Sequence, residues 1–291
     1  MDWRIAVVMT GVMSALSQII GKRQVANMSA FQSGLIRDVT TLTLVVGLTM
    51  VSGDLTWRGY EWVFVTLGIF EAVSIAAYFS AQREEMSATA MFSYPLTQLL
   101  IILAAGIFFQ EWRYFDPRTV VGLVNTLGVV TLVVLMSLFQ QNQKGKPRGS
   151  WSTKLLLSSL VVVASNLIAK WGVGTIGYSP VAYMLWEYLG VVVGGAIFVY
   201  GRGLNLRVGA REWGWGVVQG IMFGLGAIWY VGILAENPLS LASVIKRVTV
   251  IVVMVVAGLW GYGEGRRLSA WQKWMLLGSA VVFGVVVVAN Q

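Results

Sequence analysis

Cysteine and histidine are both missing from this 291-residue sequence. Their absence excludes disulfides, thiolate chemistry, haem ligation and the commonest zinc ligands together, so no metal or other cofactor is expected. Charge is scarce as well, at 12% of residues, about half of what a soluble domain carries. What remains for catalysis is Asp, Glu, Lys and Ser in no recognisable spacing, and an enzyme is not expected. The net charge of +8 does not point to nucleic acid, because the basic residues are scattered through short loops and form no patch interleaved with aromatics.

Apolar length is what the sequence has in abundance. Hydrophobic residues make up 57%, and runs near or above the roughly 20 residues that cross a bilayer core recur along the whole chain. The reading is an all-α integral membrane protein with ten transmembrane helices, at 3–21, 30–51, 60–80, 87–109, 119–139, 154–173, 179–200, 213–234, 238–260 and 271–289. The first of these lacks a basic flank and reads as a span, not as a cleaved leader. Ser52-Gly53-Asp54, Asp116-Pro117-Arg118, Gly201-Arg202-Gly203 and Glu236-Asn237-Pro238 break the runs by combining turn formers with charges that belong near water. Trp3, Trp57, Tyr60, Trp112, Trp151, Trp213, Trp260 and Trp271 stand near the ends, where amphipathic rings anchor at headgroup level. Gly216, Gly220 and Gly224, and likewise Gly68, Ala72 and Ala76, form small-residue stripes for close helix packing.

The chain matches itself at a shift of about 150 residues. Ser17-Gln18-Ile19-Ile20-Gly21-Lys22 parallels Ser165-Asn166-Leu167-Ile168-Ala169-Lys170, and Met86-Ser87-Ala88-Thr89-Ala90 parallels Leu239-Ser240-Leu241-Ala242-Ser243. Glu111 and Glu264 each follow 25 residues after the starts of those last segments (111 − 86 and 264 − 239), and Gly122 and Gly128 recur as Gly278 and Gly284. The domain reading is a first five-helix repeat over 1–140, a basic linker loop over 141–152 and a second five-helix repeat over 153–291. An odd number of crossings reverses the chain, so the repeats are inverted and surround a central cavity near the midplane.

Ser87, Pro95, Glu111, Gly122 and Gly128, with Ser240, Glu264, Gly278 and Gly284 in the second copy, resemble the drug/metabolite transporter superfamily, specifically its ten-helix EamA-like exporters and permeases. The resemblance covers essentially the whole chain and departs from the pattern at Val248, where the first copy has its proline. It implies a transporter working by alternating access and specifies no cargo. Family members move amino acids, nucleotide sugars, phosphorylated sugars, nucleobases, quaternary amines or drugs.

Charges within the spans narrow the site. Each costs at least about 2.5–3.5 kcal/mol at bilayer depth and should face the bundle interior or a wet cavity. Arg37, Asp38, Glu71, Glu187, Lys246 and Arg247 are such charges, and helical spacing joins Glu71 to Ser74 and Tyr78, Tyr183 to Glu187, Ser243 to Arg247, and Tyr94 to Gln98. The candidate substrate pathway is therefore Arg37, Glu71, Ser74, Tyr78, Tyr94, Gln98, Tyr183, Glu187, Ser243, Lys246 and Arg247. Arg37, Lys246 and Arg247 would meet an anionic group, and Glu71 or Glu187 a cationic one. A carboxyl withdrawn from water can exchange its proton near neutral pH, which makes Glu71 and Glu187 the proton-coupling candidates. The competing expectation is that these charges pair and hold the bundle together, Arg37 with Glu71 for instance. Asp38, about 100° round the helix from Arg37, is not expected to share a target with it. Gln18, Lys22, Asn166 and Lys170 are candidate gates, with snorkelling as the plainer role for the lysines. Glu111 and Glu264 are expected to form structural pairs with basic neighbours.

The expected function is secondary transport of a small polar, charged or zwitterionic metabolite through the cell (inner) membrane, with proton coupling as an option. Flipping an anionic lipid or lipid-linked carrier is the nearest alternative, and a structural or receptor-like membrane protein the alternative of another class. Partners are the small-molecule substrate and membrane lipid, with a monomer and a homodimer both allowed. Counting Lys and Arg outside the spans gives 5 on the side of the termini and 13 opposite, which places the termini outside the cytoplasm, whereas the family resemblance implies the reverse.

Overall fold

The structure is a computed structural model that describes residues 2–84, 86–141, 149–204 and 207–257. The expected tenth helix, 271–289, with Gly278 and Gly284, lies outside the described residues, as do Glu264 and most of the linker. The chain is a multi-pass membrane protein, all-helical among those residues. Its helices are α1 (Trp3–Val25), α2 (Ala30–Ser52), α3 (Glu61–Glu84), α4 (Met86–Phe109), α5 (Val120–Gln141), α6 (Gly149–Lys170), α7 (Pro180–Gly201), α8 (Ala210–Glu236) and α9 (Leu239–Val256). Six of these segments are long and apolar enough to cross a membrane: Trp3–Val25, Ala30–Ser52, Glu61–Gln82, Ser152–Ile176, Pro180–Gly201 and Ala210–Glu236. Ser93–Phe109 and Val120–Val130 are shorter apolar stretches.

Local chemistry sets the ends. Ser29 opens α2 with a capping box shared with Gln32, and Gly53 closes it in the left-handed conformation at φ 67°. Ser179 caps α7 just ahead of Pro180. The same hydroxyl reaches Asp54, whose carboxyl is held below its usual range by hydrogen bonds from Ser179 and Thr56. Helix α5 runs through Gln141 and α6 begins at Gly149, so both reach into the stretch 141–152 expected as linker. The sixth helix also continues past Lys170 as a π-helical turn, Trp171–Ile176, that Gly177 ends at φ 81°.

Glycines decide how closely the helices approach. A Cβ on Gly68 would lie 2.1 Å from the Glu187 carbonyl oxygen, and one on Gly190 would lie 2.0 Å from the Val65 carbonyl oxygen. The α3 and α7 backbones therefore touch. On α8, Gly216, Gly220 and Gly224 face Ile36, the Arg37 carbonyl with Thr40, and Leu44 with Thr41 of α2, as the stripe led one to expect.

These pairings also give helix direction. Rising residue numbers on α2 meet rising numbers on α8, so the two are parallel; the same holds for α3 and α7, where Val65 meets Gly190 and Ile69 meets Gly194. Gly21 meets Gln219 and Gly226 meets Met13, so α1 and α8 are antiparallel. Leu35 with Gly195 and Phe31 with Phe198 make α2 and α7 antiparallel. Ser74 with Ser158 and Ser80 with Lys154 do the same for α3 and α6. Helix α1 packs on α8 and α9, while α6 packs on α3 and α4.

Candidate functional site

Inside the bundle lies a cavity of about 210 Å³. Helix α1 contributes Ser14 and Gln18, α2 contributes Arg37, and α3 contributes Glu71, Ser74, Tyr78 and Phe79. Tyr94 comes from α4, Ser158, Ser165 and Asn166 from α6, and Tyr183, Glu187 and Tyr188 from α7. Phe223 and Tyr230 from α8 and Ser243, Lys246 and Arg247 from α9 complete the polar and aromatic lining. Of the sequence-derived pathway residues, Gln98 alone lies elsewhere. It donates to the Ser240 carbonyl at 3.3 Å and ties α4 to α9, because its side chain leaves α4 on the flank facing α9.

The carboxyl side of the cavity centres on Glu187, which is 4% exposed. Its carboxylate accepts from the Tyr183 hydroxyl at 2.8 Å and from the Ser165 hydroxyl at 3.1 Å. Ser165 also faces Glu71, so one hydroxyl lies between two carboxyls. The basic side centres on α9. The Lys246 ammonium lies 3.7 Å from the centre of the Tyr230 ring and the Arg247 guanidinium 5.6 Å from that of Tyr94.

Arg37 lines the cavity but does not pair with Glu71: its Nε and Nη2 donate to Asp38 at 2.7 and 2.5 Å, and the guanidinium is packed against Phe223 (4.4 Å) and Phe79 (5.4 Å). Although the two Cβ atoms diverge round the helix, the arginine stem is long enough to bring its head back to the neighbouring carboxylate.

The candidate gates divide. Tyr78 donates to the Gln18 Oε1 at 2.7 Å, and Tyr230 donates to the Asn166 Oδ1 at 3.0 Å. Gln82 adds a second donor to Gln18 at 3.2 Å. Gln18 and Tyr78 fall in the last third of α1 and α3, Asn166 and Tyr230 in the last third of α6 and α8. Because α1 is antiparallel to α8 and α3 to α6, the two tyrosine–amide pairs lie toward opposite ends of the cavity. Lys22 and Lys170 do not line it. The Lys170 ammonium donates to the Leu234 and Asn237 carbonyls at 2.7 and 3.0 Å and so closes the C-terminal end of α8. Glu111 has Lys170 as its basic neighbour, and its carboxylate accepts the backbone N–H groups of Leu239 and Ser240, at 2.9 and 2.8 Å, and caps α9.

Sequence reasoning did not select Tyr230, Ser165, Tyr188, Phe79 or Phe223. Tyr230 was recoverable, since it stands 152 residues after Tyr78 (230 − 78), close to the shift of about 150 residues at which the sequence matches itself. The aromatic rings carried no signal that separates lining from ordinary core.

No family model matches the chain, and no curated protein sequence matches it. Among solved structures, one described as "Crystal structure of protein" matches with a TM-score of 0.66, covering 98% of this chain and 96% of its own at 13% identity. At that identity the likeness concerns the fold alone.

Proposed function

We propose that the chain is a secondary transporter of the cell (inner) membrane that moves a small charged or zwitterionic solute by alternating access. The observation that carries the reading is the cavity itself. Glu71, Glu187, Lys246 and Arg247 converge on it from three helices within an apolar bundle, where charge without a use would be costly.

The proposed frame is ten transmembrane helices in two inverted five-helix repeats, 1–140 and 153–291, of the EamA-like kind within the drug/metabolite transporter superfamily. Helix direction supports it. The chain of pairings above makes α1 opposite to α6, α2 to α7 and α3 to α8. Packing supports it too, since exchanging the repeats turns α1 on α8 and α9 into α6 on α3 and α4. The tyrosine–amide pairs exchange in the same way, Tyr78–Gln18 with Tyr230–Asn166. In such a frame the solute sits between the repeats, and the tyrosine–amide pairs open in turn.

Reconstitution into liposomes tests the reading. The purified chain is expected to release a preloaded solute, faster under a pH gradient, and Glu71→Gln to abolish the gradient's effect. Flux that answers the gradient as before in that variant removes Glu71 from coupling. Absence of protein-dependent flux across a panel of amino acids, organic anions and phosphorylated sugars overturns the transport reading.

A further inference from the structure

The charged residues lining the cavity are Arg37, Lys246 and Arg247 with Glu71 and Glu187, and Asp38 stands beside Arg37 outside the lining. Arg37 and Asp38 satisfy one another. The other four do not: among the described residues none of them has an oppositely charged group within the 4.0 Å of an ion pair. Two carboxyls and two cations thus face one cavity and are held apart. The Glu187 carboxylate and the Arg247 side chain are both more than nine-tenths buried, and the Arg247 Nε has no hydrogen-bond partner among the described residues. Buried donors of this kind are normally satisfied.

The neighbours of each pole show why the poles stay apart. Ser165 and Tyr183 hold the carboxyl side toward α6 and α7. The rings of Tyr230 and Tyr94 hold the basic side toward α9. Phe79 and Phe223 supply apolar lining. A solute of net charge would leave an excess charge in a poorly solvated cavity, and an uncharged one would leave all four groups unmatched. A solute with both charges matches each pole and leaves the total unchanged.

Resting on the transport reading above, we propose that the solute is a zwitterion, its ammonium bound by Glu71 and Glu187 and its carboxylate or other oxyanion bound by Lys246 and Arg247. Arg37 is not part of the anion site. It is a closed pair with Asp38 that shapes the wall through Phe79 and Phe223.

Thermal unfolding and calorimetric titration of the full chain in nanodiscs test this, with L-leucine, 4-aminobutyrate and 6-aminohexanoate as zwitterions and hexanoate and hexylamine as singly charged analogues. At least one zwitterion is expected to bind ten times more tightly than either analogue. Glu187→Gln should narrow that zwitterion's advantage over hexanoate to less than threefold, and Arg247→Gln should narrow its advantage over hexylamine. Equal binding by hexanoate or hexylamine, or no binding by any of the three zwitterions, overturns the proposal on the unaltered protein, whether or not the variants fold. Flux of a singly charged solute would overturn it while leaving transport standing. Binding of a zwitterion with no flux of it would overturn transport and leave the site standing.

Discussion

Asp38 illustrates how much a single carboxyl can carry. It accepts from two nitrogens of an arginine that is 4% exposed and packed between two phenylalanines. Removing one partner of a buried pair strands the other, at about 3–5 kcal/mol, whereas replacing both by apolar residues is often close to neutral. Asp38→Asn is accordingly expected to lose several kcal/mol of stability, and Arg37→Met combined with Asp38→Leu much less. Unfolding midpoints in detergent measure both. The sequence marked both residues as costly intramembrane charges but gave the wrong partner. Helical spacing reports where a Cβ points, and a five-bond arginine stem can end almost anywhere within its reach.

Between helices, the decisive contacts are made by residues with no side chain. The α3–α7 seam brings Gly68 and Gly190 against carbonyl oxygens of the facing backbone, and the same seam fixes the height of Glu71 and Glu187 in the cavity. Gly190→Ala would place a methyl group where only 2.0 Å is free. Its expected cost is about 1–3 kcal/mol or more, as for overpacking elsewhere. The α3–α7 shift it forces should weaken solute binding along with stability. Gly47, whose Cβ would meet nothing within 4 Å, is the control: Gly47→Ala should leave both unchanged. Glu111 acts at this scale as well. Its carboxylate satisfies two N–H groups at the start of α9, and that start sets the register that delivers Lys246 and Arg247.

For the molecule as a whole, the transport reading proposed above makes the two tyrosine–amide pairs the parts that tell one side of the membrane from the other. The absence of cysteine makes the test direct. With Ser74→Cys as the single reactive thiol in the cavity, Tyr78→Phe is expected to raise labelling by a membrane-impermeant maleimide from one side. Tyr230→Phe should raise it from the other. Increases on the same side for both would contradict alternating closure. A reporter fused to the N-terminus and fluorescent only in the cytoplasm assigns the sides and decides between the lysine and arginine count and the family resemblance.

Composition and spacing were enough to determine that the chain spans a membrane, where the described helices run to within a few residues, and which charges a bilayer would force inward. All three follow from local chemistry, because the cost of a buried charge or an unpaired backbone group does not depend on what lies opposite. The glycine stripes were legible in the same way, from local spacing alone. What faces what was decided by the tertiary structure alone. Glu111 found two backbone amides, Lys170 two carbonyls and Gln98 a neighbouring helix, while Ser165 came between Glu71 and Glu187. Those outcomes depend on helix direction, on approaches set by glycine to a fraction of an ångström, and on long side chains choosing among several partners. A linear sequence lists the candidates for such a choice, and packing in three dimensions makes it.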